Sequence, residues 1–332
     1  MIAMHAPDGL LSPPVALVTA LISVAVLAVA VRMSGRQLGD RQAPLAGLAA
    51  AFIFAAQMVN VPVAAGTSGH LLGGTLAAVL LGPWVGAVVV AVVVVVQALV
   101  FADGGITALG YNLLDMAIVP TFAGWALFVA MRRVMPARAS GVVGAAALAA
   151  GVSTVLAAAT FSLLWLFGAT APVPFDTVFA SMVGVHTLIG VVEAVITGSV
   201  VGAVLATRPD LVYGARDLAL TPIPGRARVD TRTFVIGAVF ATLAVAAVVS
   251  QFAADTPDGL DRVSQDQGMA PDTEPALSSG PFADYATEGI GNESASLALA
   301  GTVGVALTVL VGGGMLSAAR RMSRPAVIPS AR

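Results

Sequence analysis

The stretch Val85-Gly86-Ala87-Val88-Val89-Val90-Ala91-Val92-Val93-Val94-Val95-Val96-Gln97-Ala98-Leu99-Val100-Phe101 contains no charged side chain and one amide. A helix that crosses the hydrocarbon of a bilayer needs about 20 mainly apolar residues, and this run approaches that length alone. Moving outward, with charges and Pro/Gly clusters as boundaries, similar windows fall at 14–33, 44–60, 70–82, 112–131, 141–167, 183–206, 233–252 and 294–316. The fold class expected is all-α, a polytopic membrane helical bundle of about nine transmembrane helices. The window at 70–82 is short and is separated from the quoted run only by Gly82-Pro83-Trp84, which predicts a broken or partly inserted helix there. Across 332 residues, 58% are hydrophobic and 10% charged, a balance that makes the bilayer the natural solvent.

Charge gives the orientation. All sixteen basic residues are arginine. Arg32, Arg36 and Arg41 follow the first span, Arg132, Arg133 and Arg138 the fifth, Arg208, Arg216, Arg226 and Arg228 the seventh, and Arg320, Arg321 and Arg324 the ninth. With nine spans all of these share one side, the cytoplasmic one by the positive-inside rule, which places the N-terminus outside the cell (plasma) membrane. No basic segment precedes the first apolar run, so that run is not read as a cleaved signal peptide. Residues 208–231, with Pro209, Pro222, Pro224 and Gly225, read as a cytoplasmic linker. They divide a seven-span unit, 1–207, from a two-span unit, 232–332, whose external segment 253–293 carries nine acidic residues and only Arg262. The plain reading of that segment is a solvated acidic face. Pro-Asp-Gly-Leu occurs at 7–10 and again at 257–260, read as a pair of Asp-Gly turns.

The missing residue types exclude some chemistry. Without lysine there is no phosphate-binding loop of the G-x-x-x-x-G-K-[ST] type, so the chain is not itself a P-loop ATPase. Without cysteine there are no disulfides, thiolate sites or cysteine nucleophiles, and a metal would be held mainly by nitrogen or oxygen.

The three histidines, His5, His70 and His186, are each placed at the outer end of a span. One membrane histidine usually serves a helix–helix hydrogen bond, whereas three on one face point toward an ion pathway. His70 lies in the small-residue run Gly66-Thr67-Ser68-Gly69-His70-Leu71-Leu72-Gly73, which suits close backbone approach and equally a tight helix entry capped by Thr67 or Ser68. His186 and Glu193 are seven residues apart and share one helix face. At membrane depth Glu193 needs a protein partner or a proton, and Asp115, a turn from Asn112, raises the same question. At a true N-terminus, Met4-His5 would offer an amine, an amide nitrogen and an imidazole. With His70 these make four nitrogens, a set suited to a square-planar ion such as Ni(II) or Cu(II). Met1-Ile2-Ala3 precede them, so this chelate requires translation to begin at Met4.

Met4-His5-Ala6-Pro7-Asp8-Gly9-Leu10-Leu11-Ser12-Pro13 resembles the opening of the nickel and cobalt substrate-binding subunits of energy-coupling-factor transporters. Phe54 to Asn60 with Gly66 to Gly73, Ala102 to Gly110, and His186 with Gly190 and Glu193 are similar to three further signatures, so that the resemblance covers about residues 4–206. Thr256-Pro257-Asp258-Gly259-Leu260-Asp261 resembles the Pro-Asp-Gly-Leu-Glu signature of the small accessory subunit, here fused at the C-terminal end with Asp261 in place of Glu. The resemblance implies a non-enzymatic membrane component that binds nickel or cobalt through Met4, His5 and His70. Asn60 and His186 would orient the ligands. It also implies a transmembrane coupling subunit and cytoplasmic ATPase subunits as partners, no permanently bound cofactor, and transported Ni2+ or Co2+ as substrate. Four nitrogens in a plane favour nickel, although cobalt can occupy the same ligands. Two rivals remain at this stage. One is a secondary cation transporter with Glu193 and Asp115 as an ion relay, and the other an intramembrane metalloenzyme. Neither the paired repeats common in the first nor the catalytic pairs at depth needed by the second are evident.

Overall fold

The computed structural model describes residues 5–37, 42–64, 66–218, 229–269 and 276–323. Expectations for Met4, for linker residues 219–228 and for loop residues 270–275 therefore lie outside the described residues. The helices are α1 (Pro13–Gln37), α2 (Gln42–Gln57), α3 (Gly74–Leu81), α4 (Pro83–Val100), α5 (Leu109–Arg132), α6 (Ala139–Gly168), α7 (Phe175–Thr207), α8 (Thr231–Ala247), α9 (Gly259–Gln267) and α10 (Glu293–Ser323). A two-stranded antiparallel hairpin, β1 (Val61–Ala64) and β2 (Thr67–Gly69), leads into α3. Among the described residues seven helices are long and apolar enough to cross a membrane; α2 has 16 residues and α3 only 8.

Helix packing inverts the usual soluble pattern. Leu148, Val152, Leu156 and Leu163 of α6 point outward, whereas Ala145, Ala149, Ser153 and Ala157 are buried. Lipid tails are as apolar as leucine, so large side chains gain nothing by turning inward, and helices associate where small residues permit close contact. The α6–α7 pair shows this at its centre. A Cβ on Gly151 would lie 2.8 Å from the Gly190 carbonyl oxygen, and one on Gly190 would lie 2.7 Å from that of Gly151.

The expected third span is helical only from Gly74. Residues 70–72 enter as non-helical backbone, the left-handed Gly73 (φ 77°) precedes α3, and Gly82, also at positive φ (87°), separates it from α4. Thr67 and Ser68 lie in β2, so neither is the cap. Nonhelical backbone at this depth is tolerated only where protein satisfies its polar groups. Here the Glu193 carboxylate accepts the Leu72 and Gly73 amides, and Gln57 Nε2 donates to the Leu72 carbonyl at 2.9 Å. A second irregularity is the π-helical stretch Leu113–Ile118 within α5, a kind of bulge that recurs at functional sites.

The loops sort into two ends. Gln37, Gly82, Arg132 and the 208–218 segment meet at one, through Gln37 to the Leu81 carbonyl and Arg132 to Asp217. At the other, residues 5–12 bond to Gly168 and Thr170, Ser68 bonds to Thr256 and Pro257, and the Asp284 amide donates to the Phe101 carbonyl. The described loop arginines other than Arg262 thus gather opposite the histidines. Asp230 caps α8 by accepting the Arg232 and Thr233 amides, which hold its carboxyl below the usual range together with the Thr233 hydroxyl. Helix α10 packs against α1, α2, α4 and α8 and so fixes the second unit to the first.

Candidate metal centre

Within residues 5–12, His5, Ala6, Leu10 and Leu11 are buried, whereas Gly9 is exposed. Asn112 clamps Ala6, accepting its amide at 3.2 Å and donating to its carbonyl at 3.0 Å, and Tyr111 donates to the Pro7 carbonyl. The Gly105 amide donates to the same Ala6 carbonyl, and Asp8 accepts both the amide and the hydroxyl of Thr107. This clamp delivers His5, 2% exposed, to the wall of a small cavity of about 70 Å3. His70 and His186 line the same cavity, with Asp115 from the π-helical stretch. A space this size holds a few water molecules or an ion with residual water and is too small for a drug-sized organic ligand.

The imidazoles share one tautomer. Nδ1–H of His5 donates to the Asp103 carbonyl at 3.0 Å, that of His70 to Leu71 at 3.0 Å, and that of His186 to Met182 at 2.8 Å. A carbonyl only accepts, so each Nδ1 carries the proton, and in a neutral ring Nε2 is then the atom able to ligate a metal. His5 Nε2 is buried and has no hydrogen-bond partner among the described residues. The His5 and His70 ring centroids are 5.9 Å apart. With metal–nitrogen bonds of about 2 Å, two imidazoles sharing an ion have centroids roughly 4.5 to 6.5 Å apart, so the pair fits one ion. Among the described residues no three His, Asp or Glu groups converge on one point, so the pair is a partial ligand set. A chelate that includes the amide of His5 uses its Nδ1, which here faces Asp103. Forming it requires the ring to turn about Cβ–Cγ.

The other residues singled out in the sequence take different places. Glu193 is buried with both oxygens engaged by the α3 entry. Asp115 has a buried Oδ1 with no hydrogen-bond partner among the described residues. Asn60 does not line the cavity; its carbonyl accepts the Ala254 amide, and its buried Oδ1 has no partner among the described residues.

The 253–293 segment is not simply a solvated acidic face. Asp258, 3% exposed, caps α9 through Oδ1 and brings Oδ2 to 3.8 Å from His70 Nε2. Its burial pushes the carboxyl well above the ordinary range. Gly259 packs against His186. Tyr285 donates to Asp103 Oδ2 at 2.7 Å, accepts from Gln97 at 3.0 Å and stacks on Phe101 at 4.8 Å. Its phenol pKa is driven far up, first by burial and then by Asp103, so it stays a donor.

A family model described as the cobalt uptake substrate-specific transmembrane region matches residues 5–211. The chain belongs to this family. A second model, the PDGLE domain, matches residues 232–321 of this cobalt-uptake-family protein. A putative fused nickel transport protein of Archaeoglobus fulgidus is 34% identical over 93% of the chain and 97% of its own length. A cobalt transport protein of Geobacter sulfurreducens is 32% identical over 63% of the chain and 62% of its own length. A crystal structure of a truncated transition metal transporter covers 61% of the chain and 98% of its own, with 32% identity and a TM-score of 0.54.

In this family member the sequence reading missed Asp258 and Tyr285. The repeated Pro-Asp-Gly-Leu was the available signal for Asp258: Pro7 and Asp8 of the first copy anchor the segment carrying His5, and Asp258 of the second lies near His70.

Proposed function

We propose that this protein is the metal-recognising membrane component of an energy-coupling-factor transporter that takes up divalent nickel or cobalt, nickel preferred. The observation that carries this reading is the meeting of His5 and His70 across one small buried cavity with His5 Nε2 unpartnered among the described residues. The family match and the fused nickel-transport relative support the same conclusion. The ion enters from the extracellular side of the plasma membrane, where the N-terminus also lies, because the described loop arginines other than Arg262 gather at the opposite end. Met4, His5 and His70 are the ligands, with the Met4 amine available when translation begins there. His186 holds its place beside them, and Asn60 acts at longer range. Residues 1–207 form the metal-binding unit, 208–231 the linker and 232–332 the accessory unit. ATP hydrolysis belongs to partner subunits, which engage the chain through a transmembrane coupling protein.

The test is titration of purified full-length protein with Ni2+ and Co2+ by calorimetry. One ion per chain is expected, with binding lost in His5→Ala and His70→Ala. Absence of binding in the wild type, or undiminished binding in the double variant, rules the reading out. A second reading, a cation relay without ATPase, is favoured by the Asp115 oxygen in the cavity wall, which has no partner among the described residues. It predicts uptake that survives deletion of the ATPase subunits.

A further inference from the structure

The wall of the metal cavity holds a carboxylate that the fold leaves unused. Of the carboxyl groups near the histidines, Asp8 is engaged by Thr107, Asp103 by Tyr285, Glu193 by the Leu72 and Gly73 amides, and Asp258 by the Asp261 amide. Asp115 differs. It is 8% exposed and lines the cavity from the π-helical stretch of α5, and its buried Oδ1 has no hydrogen-bond partner among the described residues. The arginine ion pairs among the described residues join Asp217, Asp210 and Asp266, and none reaches Asp115.

The polar groups around it are directed elsewhere. Asn112, one turn earlier on α5, exchanges two hydrogen bonds with Ala6, and Tyr111 donates to the Pro7 carbonyl. On α6 the Thr154 hydroxyl donates to Ala150, and on α7 the His186 Nδ1–H donates to Met182. A buried carboxylate without a donor is costly, and inside a membrane such groups pair with a cation or face an ion pathway. The fold therefore leaves the partner of Asp115 to be supplied by whatever fills the cavity.

A divalent ion supplies what is missing. Neutral imidazoles do nothing to offset its two charges, and burial makes an uncompensated charge far more expensive than it is in water. The cavity, about 70 Å3, has room for the ion together with residual water. Water held by the ion donates its hydrogens to a carboxylate on the wall, a bridge nearly as favourable as a direct bond.

We infer that Asp115 is the charge partner of the bound ion, accepting hydrogen bonds from the water that completes its coordination. This inference rests on the metal-binding function proposed above. It gives the buried carboxylate a role in equilibrium binding, where a relay would use it only during transfer.

The experiment is calorimetric titration of purified full-length protein with Ni2+, combined with thermal unfolding of the metal-free form. Asp115→Asn keeps the shape and removes the charge. Its nickel affinity is expected to fall tenfold or more, the scale of outer ligand support. Its metal-free melting temperature is expected to stay the same or rise, because the charge it removes has no partner among the described residues. Asp115→Glu restores the charge, with cavity space for one more methylene, and is expected to bind more tightly than Asp115→Asn. Wild-type affinity in Asp115→Asn overturns the inference, and lost uptake at that affinity would assign Asp115 to a relay instead. A lowered metal-free melting temperature in Asp115→Asn, or equally weak binding in the two variants, also overturns it, since either marks a structural role. A wild-type protein that binds no Ni2+ removes the proposed function together with this inference.

Discussion

The Glu193 carboxylate grips the amide of Leu72, Oε2 accepting its N–H at 2.7 Å while Oε1 accepts the next amide, that of Gly73, at 3.0 Å. One side chain from α7 thus supplies the acceptors that the broken entry to α3 lacks, and the non-helical backbone beside His70 is held from below. A carboxylate committed in this way serves architecture, which answers the question raised by its depth in the membrane. Glu193→Ala leaves two buried donors unsatisfied and is expected to cost about 2 to 4 kcal/mol. Thermal unfolding in detergent measures this, and metal binding per folded molecule should fall as well because His70 loses its support. Normal stability with abolished uptake would instead favour a relay role.

Tyr285 reaches His5 through Asp103. The phenol bonds Asp103 Oδ2, and the carbonyl of the same residue fixes the His5 tautomer. The only left-handed non-glycine residues among those described, Ala102, Asp284 and Tyr285, all gather at this junction. Such conformations cost about 1 to 3 kcal/mol each and persist only where the surroundings enforce them. Tyr285→Phe keeps the stacking on Phe101 and deletes the hydrogen bond. Nickel affinity is expected to fall about tenfold, the scale of outer ligand support, and thermal stability by about 1 to 3 kcal/mol, because the buried Gln97 amide loses its acceptor. Calorimetric titration of the two proteins decides it.

The sequence carried the spans and the histidines because both are local signals. Apolar length is written residue by residue, and so is the segregation of arginine. The resemblance then paired His5 with His70, which the cavity brings together. What was illegible is what depends on distant chain segments meeting. The repeated Pro-Asp-Gly-Leu marks Asp258 without telling that it meets His70, and nothing near Tyr285 announces that it reaches Asp103. The π-helical stretch carrying Asp115 has no pattern of its own, since a single wider turn leaves the apolar composition of Leu113–Ile118 unchanged.

Asn112 is the point at which the N-terminal segment can be released without touching a histidine. Its amide makes both hydrogen bonds to Ala6, and Asn112→Ala removes them together. Residues 5–8 are then expected to detach part of the time, lowering nickel affinity tenfold or more, on the order of the cost of the two lost bonds. Limited proteolysis offers a second readout, with cleavage near residues 5–10 accelerated in the variant and suppressed by excess nickel. An unchanged cleavage pattern would show that the bonds to Gly105, Tyr111 and Thr107 suffice.

Because the seat is formed by chain segments that meet only in the folded protein, the ion should stabilise the fold. A ligand bound only by the folded state at a hundred times its dissociation constant contributes about 2.7 kcal/mol. Nickel is therefore expected to raise the melting temperature, and chelation with EDTA should return it to the metal-free value. His70→Ala should abolish the shift, since it removes a ligand of the seat. A full shift in His70→Ala would place the ion elsewhere in the bundle, with Asp115 as the first position to examine because its buried oxygen lines the same cavity.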